Sequence, residues 1–297
     1  MGTARKPDFL IIGAQKAGTT WLWAMLRQHP GVQFPATKEI HFFGGSEPYA
    51  QGLDSYLDHF VGIPPHKLTG EASTAMFFDR VPYWYSEGRA LVFDDRLPPI
   101  PELVRRDLGE VRVIVLLRDP VRRAVSAYRH WMRKGELSPL SGLRKTATSH
   151  PKLRILEYGD YATHLEAWMR VFPRESILCL VYEDDVVADP AGGLSRTFSF
   201  LGLDPDFQVT APDRRVHGSW TWTRSVVRHL AGPLGPALVR GRFGAFLDRR
   251  DFLRSLSLKR SDVEFLRERY LPQRAAVEAL SGRDLGRWDY GESLLKT

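Results

Sequence analysis

Three groups of polar residues in this sequence have the types and spacing to do chemistry on an anion. The first is Gly13-Ala14-Gln15-Lys16-Ala17-Gly18-Thr19-Thr20, a glycine-bracketed turn with one lysine and two hydroxyls. Between a strand and a helix, such a turn aims free backbone N–H groups and the positive end of a helix dipole at a bound anion. Lys16 adds a mobile cation. The second group is Arg118 with Asp119-Pro120 and, two turns further on, Ser126. An arginine at the carboxyl end of a parallel strand sits where α/β sheets place ligands, and its planar fork suits a phosphate monoester. The third is Glu39-Ile40-His41. Read as an extended segment, it points Glu39 and His41 to one face and Ile40 into the core. A carboxylate fixed there beside a phosphate loop is placed to take a proton from a hydroxyl. Taken alone, each feature also has a plain alternative: an incidental lysine, a chance Arg-Asp-Pro junction, a surface carboxylate paired with Lys38, a histidine satisfied by packing.

The turn is close to a Walker A loop without being one. That pattern, G-x-x-x-x-G-K-[ST], needs lysine directly after the second glycine and then a magnesium-binding hydroxyl. Gly13 and Gly18 have the right separation, but Thr19 stands where the lysine belongs and the lysine lies inside the loop at position 16. No acidic residue in a Walker B setting follows. A magnesium-dependent kinase remains as an alternative that the displaced lysine argues against. A catalytically inactive nucleotide-binding module is another.

Lys16-Ala17-Gly18-Thr19-Thr20-Trp21 resembles the 5′-phosphosulfate loop of the sulfotransferases that use 3′-phosphoadenosine 5′-phosphosulfate (PAPS). Lys38-Glu39-Ile40-His41-Phe42-Phe43 resembles the base-carrying segment of the heparan-sulfate-type branch, the N-deacetylase/N-sulfotransferases and 3-O-sulfotransferases. Arg118-Asp119-Pro120 with Ser126 resembles the family's 3′-phosphate element. The resemblance runs from Phe9 to Trp288 and implies a P-loop NTPase-like sulfotransferase fold. It implies PAPS as sulfuryl donor, adenosine 3′,5′-bisphosphate as product and no metal. Cofactor contacts fall to Gln15, Lys16, Ala17, Gly18, Thr19, Thr20, Trp21, Arg118 and Ser126. Glu39 is then the general base, Lys16 stabilises the leaving phosphate oxygen, and His41 orients Glu39 or touches the acceptor. Glu71, Ser73, Trp220 and Trp222 are acceptor-side candidates. The sequence departs from the branch at two acceptor-side places: Gly44 follows the two phenylalanines where an aspartate is common, and Ala72 follows Glu71 where a lysine is. The hydroxyl-bearing acceptor therefore stays open between a carbohydrate and a small natural product.

Composition sets the bounds. The 297 residues suffice for one large α/β domain over 1–297, with a core from about 8 to 290. No run of about 18 apolar residues predicts a membrane span, and the first residues lack a signal-peptide core. The single cysteine, Cys179, lies in an apolar run; it predicts a buried, inert thiol and a reducing, cytoplasmic setting. A net charge of +7 and a pI near 9.6 point to anionic partners. The basic residues are spread along the chain without a nucleic-acid-binding motif, so nucleic acid is not expected.

The elements that must position these groups are legible as alternating apolar runs and capped helices. Phe9–Ile12, the stretch from Gly70, Val111–Leu117 and Ser176–Tyr182 read as inner strands, and the alternation predicts a parallel central sheet flanked by helices. Asp119-Pro120 and Asp189-Pro190 read as helix starts. Ser138–Pro151 reads as a mobile polar loop, Tyr83–Pro101 as an irregular lid, acceptor loop or surface covering, and Glu183-Asp184-Asp185 as a solvated strand-to-helix loop. The tail reads as two helices, Ser261–Tyr270 and Pro272–Leu280.

Overall fold

Four short strands organise the chain. In the computed structural model, which describes residues 5–83, 90–138, 141–211, 222–239, 241–249 and 258–295, they are β1 (Phe9–Gly13), β2 (Gly70–Ala72), β3 (Arg112–Leu117) and β4 (Ile177–Val181). All pair in parallel, in the order β2-β1-β3-β4. β1 is buried throughout and β3 is buried except at Arg112, which is why both read as unbroken apolar runs rather than alternating ones.

Helices of eight or more residues surround the sheet: α1 (Thr19–Leu26), α2 (Ile100–Leu108), α3 (Pro120–Lys134), α4 (Tyr161–Val171), α5 (Pro190–Leu201), α6 (Trp222–Leu230), α7 (Gly241–Arg249), α8 (Arg260–Tyr270) and α9 (Arg274–Ser281). Asp119 caps α3 by accepting from the N–H groups of Val121 at 2.9 Å and Arg122 at 3.0 Å, with Pro120 at the first helical position. The stretch expected as a mobile loop instead contains a helix, Leu143–Ser149. Its Leu143, Thr146 and Ala147 are buried, and Asp262 of α8 caps it by accepting from Arg144 N–H at 2.9 Å. The capping group is 118 residues away, outside the reach of a local reading.

The strand order locates the ligand crevice. From β1 the chain moves to β2 on one side, and from β2 it crosses back to β3 on the other. The carboxyl ends of β1 and β3 therefore open on a topological switch point. β1 leaves the sheet there through a register shift between Ile11 and Gly13, and Ala14 N–H still reaches Leu116 C=O at 2.7 Å.

Candidate active site

The turn after β1 is bent by backbone conformations that favour glycine. Gly18, which precedes α1, has φ +101°, and a Cβ there would lie 3.0 Å from Tyr182 Cδ2. Lys16 itself has φ +69°. A cleft of about 960 Å³ opens at this turn, and Gln15, Lys16, Gly18, Thr19, Thr20 and Trp21 line it. Ala17 does not; it is fully buried beneath the turn.

Arg118 continues from β3 into the same cleft. Its Nη1 donates to the main-chain carbonyl of Lys16 at 3.0 Å, and its guanidinium carbon sits 4.6 Å from the Tyr182 ring centroid. The Arg118 carbonyl accepts from Tyr161 O–H at 2.9 Å. Arg118 Nε is buried and has no hydrogen-bond partner among the described residues. On α3, Ser126, His130, Arg133 and Lys134 line the cleft, spaced so that they share one helical face. Arg122 and Arg129 of the same helix do not line it. Arg122 pairs with Asp289 at 2.9 Å and Arg129 is solvent-exposed.

Glu39 and His41 reach the cleft by a different route from the extended one expected. Both have left-handed backbones, φ +63° and +66°, and Ile40 is half-buried rather than in the core. The following Phe42-Phe43-Gly44 turn is wedged into an aromatic cluster with Tyr49 and Tyr56, and this anchor fixes the approach of the preceding residues. The two side chains still meet, His41 Nε2 lying 3.7 Å from Glu39 Oε2. The other Glu39 oxygen is held by Lys38 Nζ at 2.6 Å.

Glu71 and Ser73, expected as acceptor contacts, are not among the cleft-lining residues. Both belong to the buried region of β2 and its exit, where they support His41 from behind. Glu71 Oε1 accepts from His41 N–H at 3.3 Å, and Ser73 Oγ lies 3.2 Å from His41 Nδ1. Burial pushes the Glu71 carboxyl up to about 7. Trp220 lies outside the described residues, as does the side chain of Trp222.

The cleft is cationic. Lys16, Arg118, Arg133, Lys134, Lys152 and Arg154 line it, against Glu39 and Glu136. Lys16 responds to this: burial first, then the positive charges of Arg133 and Arg118, lower its pKa to about 8, while Glu39 pulls the other way. Burial also lowers the His41 pKa, opposed by Glu39. Six non-glycine residues among those described have positive φ, and four of them (Lys16, Glu39, His41 and Arg154) line this one cleft. Backbone strain of this kind gathers at functional sites.

Sequence reasoning missed several of these groups. His130, Arg133 and Lys134 were available as a stripe continuing from Ser126. Tyr182, Lys152 and Arg154 come from segments whose approach only the fold sets. The acidic triplet after β4 is also not a solvated loop. Asp185 is fully buried, accepting from Val181 N–H at 2.5 Å and pairing with Arg283 at 3.0 Å and with Arg196. Glu183 accepts from Asp119 N–H at 3.2 Å and Trp288 Nε1 at 2.9 Å, tying the exit of β3 to the C-terminal segment.

A family model described as Sulfotransferase domain matches residues 6–216. Heparan sulfate glucosamine 3-O-sulfotransferase 3B1 of Homo sapiens is 30% identical over 299 aligned residues, covering 97% of this chain and 66% of the human protein. Bifunctional heparan sulfate N-deacetylase/N-sulfotransferase 2 of Bos taurus is 30% identical over 237 residues, covering 75% of this chain and 25% of the bovine one. The chain thus spans just under two thirds of the first relative and a quarter of the second. Among solved structures, a sulfotransferase from Alicyclobacillus acidocaldarius superposes with a TM-score of 0.67 at 23% identity, covering 95% of this chain and 98% of the other. Mouse sulfotransferase SULT7A1, complexed with PAP, gives 0.50 at 18%, covering 100% and 91%. At these identities the structural likeness speaks to the fold.

Proposed function

This chain belongs to the sulfotransferase domain family, and on that footing we propose that it moves a sulfuryl group from PAPS to a hydroxyl of a carbohydrate or small natural product. The observation that carries the reading is convergence. The Lys16 turn, the Arg118–Ser126 junction and Glu39 come from three separate stretches and line one cleft. The cleft also fits the donor. It is large enough for a nucleotide, its cations outnumber its acids, and the buried Arg118 Nε has no partner among the described residues.

When bound, PAPS supplies the sulfuryl group on a phosphosulfate anhydride, whose cleavage leaves adenosine 3′,5′-bisphosphate. In this reading Arg118 and Ser126 hold the 3′-phosphate, which gives preference over ATP. Lys16, the amides at the start of α1, Thr19 and Thr20 stabilise charge on the departing 5′-phosphate oxygen. Glu39 takes the acceptor proton as general base. His41, propped by Ser73 and Glu71, orients Glu39. A carbohydrate acceptor finds support in the heparan sulfate enzymes among the relatives.

Calorimetric titration with adenosine 3′,5′-bisphosphate, run beside ATP with magnesium, tests the donor. Tight binding of the bisphosphate is expected, and preference for ATP with magnesium would overturn the reading. Glu39→Gln tests the base: bisphosphate affinity holds, while transfer from radiolabelled PAPS to a panel of glycans and small alcohols falls by about 10²–10⁴. Transfer at the unaltered rate would remove Glu39 from that role.

A further inference from the structure

Lysines and arginines are spread along the chain, but their excess is not. Residues 222–260 contain eight arginines and one lysine against two aspartates, a net of +7, which equals the formal charge of the whole chain. The remaining residues are therefore neutral in sum. The same segment holds most of the exposed large apolar side chains among the described residues. Leu230 is 69% and Leu234 75% exposed, and Leu238, Phe243 and Phe246 are each about half-exposed. The rings of Phe243 and Phe246 stack at 6.4 Å on the surface of α7. Outward leucines and phenylalanines concentrated in an arginine-rich segment are unlike an ordinary solvated face, whose exposed apolar residues are scattered.

The segment is attached to the rim of the cleft. α6 packs against α3, and Arg228 donates to the carbonyls of Met132 at 3.3 Å and Lys134 at 3.2 Å at the end of that helix. α7 packs in turn on α6. Each is nine residues long, about 14 Å at 1.5 Å per residue and far short of the bilayer core. No helix among the described residues is long and apolar enough to cross a membrane.

We propose that the α6–α7 unit is a peripheral docking surface for an anionic lipid bilayer, with Leu234, Phe243 and Phe246 entering the interfacial region and the net positive charge of the segment attracting acidic headgroups. Charge complementarity selects an acidic surface, and the exposed apolar side chains select lipid over a soluble polyanion, which offers them nothing to enter. Because α6 rests on the end of α3, docking holds the rim of the cleft next to the bilayer. The inference does not depend on the assigned reaction.

The test is flotation of the full chain with phosphatidylglycerol vesicles beside phosphatidylcholine vesicles, at low and high salt. Binding to the acidic vesicles alone, weakened by salt, is expected. In the double variant Phe243→Ser/Phe246→Ser that partition falls by about tenfold or more, the scale of withdrawing two aromatic side chains from a lipid interface. Its far-ultraviolet circular dichroism and melting temperature stay unchanged, which shows that the fold is intact. As an independent readout, a nitrobenzoxadiazole label on Leu234→Cys brightens and shifts to the blue with acidic vesicles, and not with dextran sulfate. Cys179 is buried and escapes labelling. Absence of vesicle binding at low salt, undiminished binding of the double variant, or the same label response to dextran sulfate would each overturn the proposal, the last two in favour of a soluble polyanion.

Discussion

Arg118 donates from Nη1 to the main-chain carbonyl of Lys16 at 3.0 Å. One guanidinium thus joins the exit of β3 to the turn after β1, across the switch point of the sheet, while its Nε has no partner among the described residues. In the proposed function the residue that reads the 3′-phosphate also fixes the lysine that serves the 5′ end. Arg118→Ala is expected to lower affinity for adenosine 3′,5′-bisphosphate by about 10- to 100-fold, the worth of one or two charge-assisted hydrogen bonds. Arg118→Lys keeps the charge but loses the planar fork, so binding recovers in part while transfer stays low. Calorimetry and single-turnover kinetics separate the two. Equal recovery of both would show that the contact with Lys16 does not matter.

Lys16, with its pKa lowered to about 8, makes anion binding depend on pH. It is charged below pH 8 and loses its proton above, so the free cleft becomes less attractive to phosphate as pH rises. Binding an anion favours the charged form and draws a proton in. Bisphosphate affinity should fall above pH 8 by up to about tenfold per pH unit, the limit for one linked proton. Binding heats at pH 9 should vary with the ionisation enthalpy of the buffer. Lys16→Arg stays charged and should flatten the profile; a profile that keeps its slope in that variant would place the titration on another group.

The parts legible in the sequence are those where local chemistry and the fold agree. Buried parallel strands have to be apolar, Asp-Pro ahead of a helix-forming run sets a helix start at Asp119 and Asp189, and the loops at strand ends carry the polar groups. Phe9–Ile12, Val111–Leu117 and Asp119-Pro120 were readable for these reasons. Tertiary packing decided the rest. Glu39 and His41 take left-handed backbones because Phe42 and Phe43 are anchored in rings from Tyr49 and Tyr56. Glu71 and Ser73 are polar but lie in the buried β2 region, so they turned out to support His41. Arg154 enters the cleft from a segment 36 residues after Arg118, with no periodic signal linking the two.

Glu71 should give the protein a measurable pH dependence of stability. Its carboxyl is fully buried and its folded pKa is raised by that burial to about 7. Between the unfolded value near 4.5 and 7 the folded state holds a proton that the unfolded state has released. Stability from this group is therefore complete below pH 4.5 and is lost as pH rises through 7, a change of about 3 kcal/mol. Glu71→Gln keeps an acceptor for His41 N–H and cannot ionise. Urea denaturation from pH 5 to pH 8 should show the variant gaining on the parent as pH rises, and a difference that stays constant with pH would exclude Glu71 as the source.

Gly44 and Ala75 account for one departure from the heparan-sulfate pattern. A Cβ on Gly44 would lie 2.3 Å from Ala75 Cβ, and Ala75 lines the cleft. An aspartate at position 44 thus has no room beside any side chain at 75, and the two positions form one packed pair at the edge of the cleft. Gly44→Asp should destabilise the protein by about 1–3 kcal/mol through overpacking. Ala75→Gly alone should cost only about 0.5–1 kcal/mol, and in the double variant it should recover much of the first loss by removing the atom that is struck. The expected result is a double variant more stable than Gly44→Asp, a coupling that a double-mutant cycle in urea reads directly. Additive losses would mean that the backbone at Gly44 moves aside instead, leaving the aspartate excluded by something other than Ala75.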